Sequence, residues 1–460
     1  VNAAESPGRA LRRALGNLSL KGLSLGLERV CRLGVVIASA RVLGETAFGR
    51  FVFASTVTTL LALGTDLGLG VWTTRALARG TGDDAQVVRV GLALRAVAAV
   101  PYALAIAAIA TLVVHDEART AIAMLGVAAL VGAFVDHFGA ILRGYERFGD
   151  EARLNVSRAV LTAVAGLAAL TLSHSLAGVC TGLAVANLGS GIYGWFALRR
   201  LPSVRADSMR AVLDRAMARL ALRQSLPLWL AGLLSVLYFK VDTLFLRAMA
   251  GDGELGAYGA AYKFFEGAMM VPAVLLAVAF PQLARAHGDS VVQRRLERQV
   301  GGLLLALGLF GGGVCLLGGA TLVRVVFGAD FVRAVASLHI LAVGVPLVFV
   351  NYGLTHFLVA RDQGRLTMWF ALMMLAVTVV LDLALIPRLS GPGAAWATVL
   401  GEIALTACCM VALKPSAALQ PLVSASAALS AAPSAPPPVV SPLQATSTPI
   451  ARVAKRSQNR

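Results

Sequence analysis

The chain has 460 residues and a formal net charge of +17, yet 58% of its residues are hydrophobic and only 14% are charged. A soluble globular protein carries about a quarter charged residues, so a soluble enzyme is excluded. The Lys and Arg lie in alternate short connections rather than on one amphipathic face, which argues against nucleic acid as a partner and reads as membrane topology.

A helix that crosses a hydrocarbon core of roughly 30 Å needs about 20 apolar residues. Such stretches follow one another along the chain. In the first half they cover residues 18–42, 47–71, 87–114, 119–142, 153–173 and 176–198. In the second half they cover 221–249, 255–281, 300–326, 332–359, 365–387 and 392–413. The expected class is an all-α polytopic membrane protein with about twelve transmembrane helices.

Residues 1–17 read as a cytoplasmic N-terminal segment, 18–198 as a first transmembrane lobe and 221–414 as a second. Between the lobes, 199–220 reads as a cytoplasmic amphipathic linker with Arg210, Asp214 and Arg215 on its polar side. The Ala/Ser/Pro-rich stretch 415–460 lacks periodicity and large apolar residues and reads as a disordered cytoplasmic tail. Basic residues gather after every second span (Arg75 and Arg79; Arg143 and Arg147; Arg199 and Arg200; Arg294 and Arg295; Arg361 and Arg365). The positive-inside rule then puts both termini in the cytoplasm.

The two halves echo each other. Sliding ARVLGETAFGRFVFAS along the chain by 207 residues places Gly44 on Gly251, Gly49 on Gly256, Phe51 on Tyr258 and Ala54 on Ala261. Paired halves are how many secondary transporters build a central site that opens alternately to the two sides.

Ionised side chains inside spans cost about 2.5–3.5 kcal/mol each on the insertion scale, so each asks for a reason. In the first span Lys21, Glu28 and Arg32 stand at i, i+7 and i+11, on one stripe about 40° wide, with Arg29 beside it. Three cations against one carboxylate leave a positive surplus, which suits an anionic ligand, and paired guanidinium N–H donors suit phosphate. Asp66 lies in the second span, Arg95 in the third, and Asp136 with His137 in the fourth. Lys240 and Asp242 lie in the seventh, Lys263 and Glu266 one turn apart in the eighth, and Glu402 alone in the twelfth. Internal ion pairs that lock helices together are the competing explanation for these charges, with Glu28–Arg32 and Lys263–Glu266 at the right spacing.

Other chemistry finds no foothold. The five cysteines lack metal or C-x-x-C spacing, the histidines lack ligand spacing, and none of the five lysines is followed by Ser or Thr, so no P-loop exists. No large extracytoplasmic loop carries paired carboxylates. The expectation is a transporter rather than an enzyme, with no metal and no cofactor, and with coupling to a Na⁺ or H⁺ gradient or to the membrane potential left open.

Particular segments carry a family likeness. ARVLGETAFGRF runs on to LLALGTDLGLGVWTTR; SLPLWLAGLLSVLYFKVDTLFLRAMAGDGELGAYGAAYKF opens the second half, and VAFPQLAR closes its eighth span. Together they resemble the polysaccharide exporter, or oligosaccharide flippase (Wzx-like), family, within the superfamily that also holds the multidrug and toxin exporters and the lipid II flippases. That resemblance implies two six-helix lobes around a central cationic cavity. It implies transfer of an undecaprenyl-diphosphate-linked oligosaccharide across the bacterial inner membrane, for O-antigen, capsule or exopolysaccharide. Membrane lipids and the polysaccharide polymerase and chain-length regulator proteins are the partners it implies.

On this reading Lys21, Arg29, Arg32 and Arg95 hold the diphosphate. Glu28, Asp66, Asp242, Lys240, Lys263 and Glu266 are polar cavity residues that contact sugar or a coupling cation. Two alternatives stand beside it: a cation-coupled multidrug exporter of the same superfamily, and a membrane glycan polymerase or ligase.

Overall fold

The structure is a computed structural model, and it describes residues 7–80, 83–114, 116–201, 204, 214–286 and 289–413, with side chains from Lys21 onward. The predicted tail at 415–460 and most of the predicted linker helix lie outside the described residues.

In chain order the helices are α1 (Pro7–Asp66), α2 (Leu69–Arg79), α3 (Asp84–Ala108), α4 (Asp116–Gly144), α5 (Phe148–Ser173) and α6 (Leu176–Arg199). The second half holds α7 (Arg215–Tyr238), α8 (Val241–Ala268), α9 (Met270–Arg285), α10 (Ser290–Val326), α11 (Ala334–Ala360), α12 (Gly364–Leu389) and α13 (Gly391–Leu413). Side-chain caps mark several starts. Asp83, Ser175, Asp214 and Asp289 each accept from a backbone N–H of the helix that follows, supplying a partner the first turn lacks.

Among the described residues ten stretches are long and apolar enough to cross a membrane, but two of them run 59 and 54 residues, from Lys21 to Arg79 and from Gly232 to Arg285. Each is folded back inside. Gly44 (φ 76°, ψ 176°) and Gly251 (φ 85°, ψ 178°) break α1 and α8 with the same backbone conformation, one that glycine adopts without a Cβ clash. Dividing both stretches there gives six spans per half, and these two glycines are the pair the internal repeat superposes. The chain therefore forms two six-helix lobes. Large apolar side chains such as Leu172, Leu317 and Leu112 are exposed on the outside, as lipid-facing surface is expected to be.

Around the two turns the lobes meet reciprocally. A methyl group on Gly49 would overlap the Asp252 carbonyl, and one on Gly256 would overlap the Glu45 carbonyl. Only glycine lets the backbones approach so closely. Arg333 bonds both Glu45 (2.7 Å) and Glu254 (2.9 Å), and Asp252 joins Arg50 (3.2 Å) to Arg247 (2.9 Å). Phe48 is fully buried against Phe327 and Phe331. This end of the molecule is closed.

The expected boundaries of the seventh and eighth spans need correction. The seventh begins at Arg215, within the predicted linker, and breaks after Tyr238; the eighth breaks at Met269 and continues to Arg285. Hydropathy cannot reveal breaks of one or two residues whose flanks are both apolar.

Candidate functional site: a bipolar cavity between the lobes

Between the lobes lies a cavity of about 910 Å³, bounded toward the closed end by Phe51 and Val52. Seven cations and four carboxylates line it: Arg29, Arg32, Arg95, Arg143, Arg158, Lys240 and Lys263 against Glu28, Asp66, Asp136 and Glu266.

Local sequence sets each of them. On α1, Arg29 and Arg32 are exposed to the cavity, and Glu28 lies 3.9 Å from Arg32, at the limit of an ion pair. Among the described residues Arg29 has no ion-pair partner. Asp66 closes α1, where the chain turns through Leu67 and Gly68, both at positive φ, before α2 begins. Its Oδ2 accepts the Gly68 N–H at 3.2 Å, which fixes the carboxylate at the turn.

Arg95 stands one turn beyond Gly91 on α3, where the missing side chain makes room: a Cβ there would lie 2.8 Å from His137 Nε2. That close approach of α3 to α4 lets Arg95 donate to both Asp66 and the Ala133 carbonyl. On α5, Arg158 donates to Asp136 at 2.8 Å. In the second lobe the break between α7 and α8 turns Lys240 toward the cavity, where it and Lys263 share Glu266, the latter at 2.7 Å. Lys263 lies within electrostatic reach of Arg32 across the cavity.

Three of the expected placements change. Lys21 does not line the cavity; it lies 3.9 Å from Glu151 on α5, a carboxylate that Arg143 also binds. Seven residues separate it from Glu28, and nearly two turns of rise carry it past the cavity. Arg95 lines the cavity but is 1% exposed, behind Asp66 at 41%; the guanidinium is committed to Asp66 and Ala133 and offers no free fork to a ligand. Asp242 is buried inside the second lobe, bonded to Tyr258 and to the Thr243 N–H at 2.7 Å. The α7–α8 break that aims Lys240 at the cavity aims Asp242 away from it.

Glu28, Arg29, Arg32, Asp66, Lys240, Lys263 and Glu266 are brought together as expected. Lys263 and Glu266 also form the internal ion pair that stood as the competing explanation for their charges.

Three charged cavity residues were not among the expected site residues: Arg158, Arg143 and Asp136, the last noted only as an intramembrane charge. Arg158 sits inside the predicted fifth span, five residues past its start, and an unassigned cation at that depth was the available signal. Arg143 reads as a loop cation but lines the cavity from the last turn of α4.

The second lobe holds a separate buried polar set. Tyr238 and Asn351 bond Glu402, and Tyr258 bonds Asp242 and faces Thr398 at 3.4 Å. Asp382 on α12 is fully buried with neither carboxyl oxygen bonded, within electrostatic reach of Asp242. Among the described residues no group of three His, Cys, Asp or Glu is placed to hold a metal ion.

A family model described as polysaccharide biosynthesis protein matches residues 15–287. No curated protein matches. Among solved structures, the lipid II flippase MurJ in an inward closed conformation superposes with a TM-score of 0.70 at 12% identity, over 86% of this chain and 87% of that one. A multidrug resistance MATE family transporter of the MOP superfamily, inward-facing, gives a TM-score of 0.69 at 15% identity, over 87% and 96%. An outward-facing MATE family transporter gives 0.62 at 15% identity, over the same shares. At these identities the likeness establishes the fold: a multi-pass, two-lobed helical bundle shared with flippases and exporters.

Proposed function

The chain belongs to the polysaccharide biosynthesis protein family, and from that premise we propose that it is a flippase for undecaprenyl-diphosphate-linked oligosaccharide. It moves this lipid from the cytoplasmic to the periplasmic leaflet of the bacterial inner membrane by alternating access, feeding O-antigen, capsule or exopolysaccharide synthesis. It catalyses transport and makes or breaks no covalent bond.

One observation carries the reading: cations from both lobes face a single cavity. Arg29 and Arg32 on α1 stand across from Lys240 and Lys263, and one carboxylate is all the two lysines have between them. A diphosphate entering between them gains charge-assisted hydrogen bonds from both lobes, while the polyprenyl chain stays in lipid. An exporter of organic cations would want the opposite surplus.

Basic connections mark the cytoplasmic side, so the closed Gly44–Gly251 end faces the periplasm and the cavity awaits substrate from the cytoplasm. The higher TM-score to the inward-facing than to the outward-facing MATE family transporter supports this orientation of the cycle. For coupling, the buried Asp382, within electrostatic reach of Asp242, is the candidate: a buried carboxyl with no bonded oxygen asks for a proton or a Na⁺ ion. Polymerase and chain-length regulator proteins are the partners that would take the product on the periplasmic side.

A deletion strain tests the function. The expected result is loss of surface polysaccharide with lipid-linked repeat units retained on the cytoplasmic leaflet. Repeat units collecting on the periplasmic leaflet would instead identify a polymerase, and unchanged polysaccharide with altered tolerance to cationic drugs would identify an exporter.

A further inference from the structure

The cavity's charges are sorted by depth as well as by sign. On α1 the cation faces the cavity and the carboxylate is tucked behind it: Arg32 is 59% exposed and Glu28 15%. On the wall formed by α1's end, α3, α4 and α5 the order is reversed. Asp66 is 41% exposed over Arg95 at 1%, and Asp136 is 68% exposed over Arg158 at 18%. Two independent ion pairs on different helices point the same way, with the carboxylate toward the lumen.

The guanidinium groups of Arg95 and Arg158 hold these carboxylates in place. They do so from positions where they cannot themselves reach a ligand without giving up their partners. Each carboxylate has about four lone-pair sites; Asp136 gives Oδ1 to its arginine, while Asp66 gives Oδ1 to Arg95 and one lone pair of Oδ2 to the Gly68 N–H, so both keep acceptor capacity. What this wall offers a ligand is therefore fixed acceptors, suited to hydroxyl, amide N–H or ammonium donors, and hostile to another carboxylate.

We propose that the wall of Asp66 and Asp136 is a sugar subsite that selects oligosaccharides whose reducing-end sugars are neutral or amino sugars and rejects uronic acids. The inference rests on the diphosphate reading above, because the diphosphate held at Arg29, Arg32, Lys240 and Lys263 is what anchors the first sugars in the cavity that Asp66 and Asp136 also line. A cavity with a net positive lining would by charge count alone welcome an acidic glycan; the depth ordering argues otherwise, since a uronate meets Asp66 and Asp136 first. Like charges a few ångströms apart in a partly desolvated site discriminate by roughly tenfold or more.

The test uses the full chain in lipid nanodiscs and three probes of one prenyl length: farnesyl diphosphate, farnesyl-diphosphate N-acetylglucosamine and farnesyl-diphosphate glucuronic acid. The expected result is that all three bind and that the N-acetylglucosamine probe binds at least about tenfold tighter than the glucuronate probe. Asp136→Asn should bring that ratio to within about threefold, chiefly by tightening the glucuronate probe. Should that variant not fold, the wild-type ratio decides alone. Glucuronate binding as tightly as N-acetylglucosamine, with farnesyl diphosphate bound, would overturn the subsite and leave the diphosphate reading standing. Failure of farnesyl diphosphate itself to bind would remove the diphosphate reading and the subsite together.

Discussion

Replacing Gly49 and Gly256 by alanine should open the closed end of the molecule. The ideal Cβ at Gly49 lies 2.8 Å from the Asp252 carbonyl carbon, and the one at Gly256 lies 2.8 Å from the Glu45 carbonyl carbon. Non-bonded carbons rest about 3.5–4.0 Å apart, so the two backbones must separate by on the order of 1 Å. Neither can swing aside as a side chain could, because each obstacle is the main chain of the other lobe. Overpacking of this kind costs about 1–3 kcal/mol per site. The cost falls only on the state in which the lobes touch here, so each substitution should shift the population toward the state open at this end by roughly 5- to 150-fold. Nitroxides at Arg119 and Arg388, both exposed and on different lobes at this end, report the change by pulsed electron–electron spectroscopy. A longer mean distance in each variant, longest in the pair, is expected. Correctly folded variants with the wild-type distance distribution would refute the reasoning.

Other substitutions probe the site. Asp66→Leu leaves Arg95 charged and 1% exposed; it should cost about 3–5 kcal/mol in thermal unfolding, with most of that recovered in Asp66→Leu/Arg95→Leu. Arg29→Ala/Arg32→Ala should weaken binding of farnesyl diphosphate by at least about tenfold, as charge-assisted contacts are worth about 1.5–3 kcal/mol each. Lys21→Ala should leave that affinity within about twofold, since its ammonium pairs with Glu151 outside the cavity; titration calorimetry compares the two. Asp382→Asn should abolish any dependence of transport on an imposed Na⁺ or H⁺ gradient while the protein folds and still binds farnesyl diphosphate; gradient-driven uptake into vesicles measures it.

Much of the fold was legible because it is written in long apolar runs and in one repeated turn. The superposition of Gly44 on Gly251 foretold the two matching backbone breaks, whereas the close approach of the lobes at Gly49 and Gly256 emerged only from the structure. Helix periodicity found the stripe of Lys21, Glu28 and Arg32 with Arg29 beside it, since a charge inside a span needs protein or water beside it, and all but Lys21 line the cavity. What periodicity could not carry was depth. Asp66 and Arg95 were both recognisable as intramembrane charges, but which of the two faces the cavity depends on the turn after Asp66 and on the gap Gly91 leaves beside His137. Lys240 and Asp242 are two residues apart, and a helix break that no composition signals sends one to the cavity and the other into the lobe.

The central claim is that this protein carries a prenyl-diphosphate-linked sugar across a bilayer. Reconstitution into liposomes loaded with a fluorescent prenyl-diphosphate saccharide tests it most directly, with a membrane-impermeant reagent counting the lipid exposed outside. The account predicts that active protein brings the inner-leaflet pool out, and that Arg29→Ala/Arg32→Ala slows this by about tenfold or more. Wild-type vesicles that expose no more lipid than empty ones, with the protein folded and its gradient in place, would contradict it.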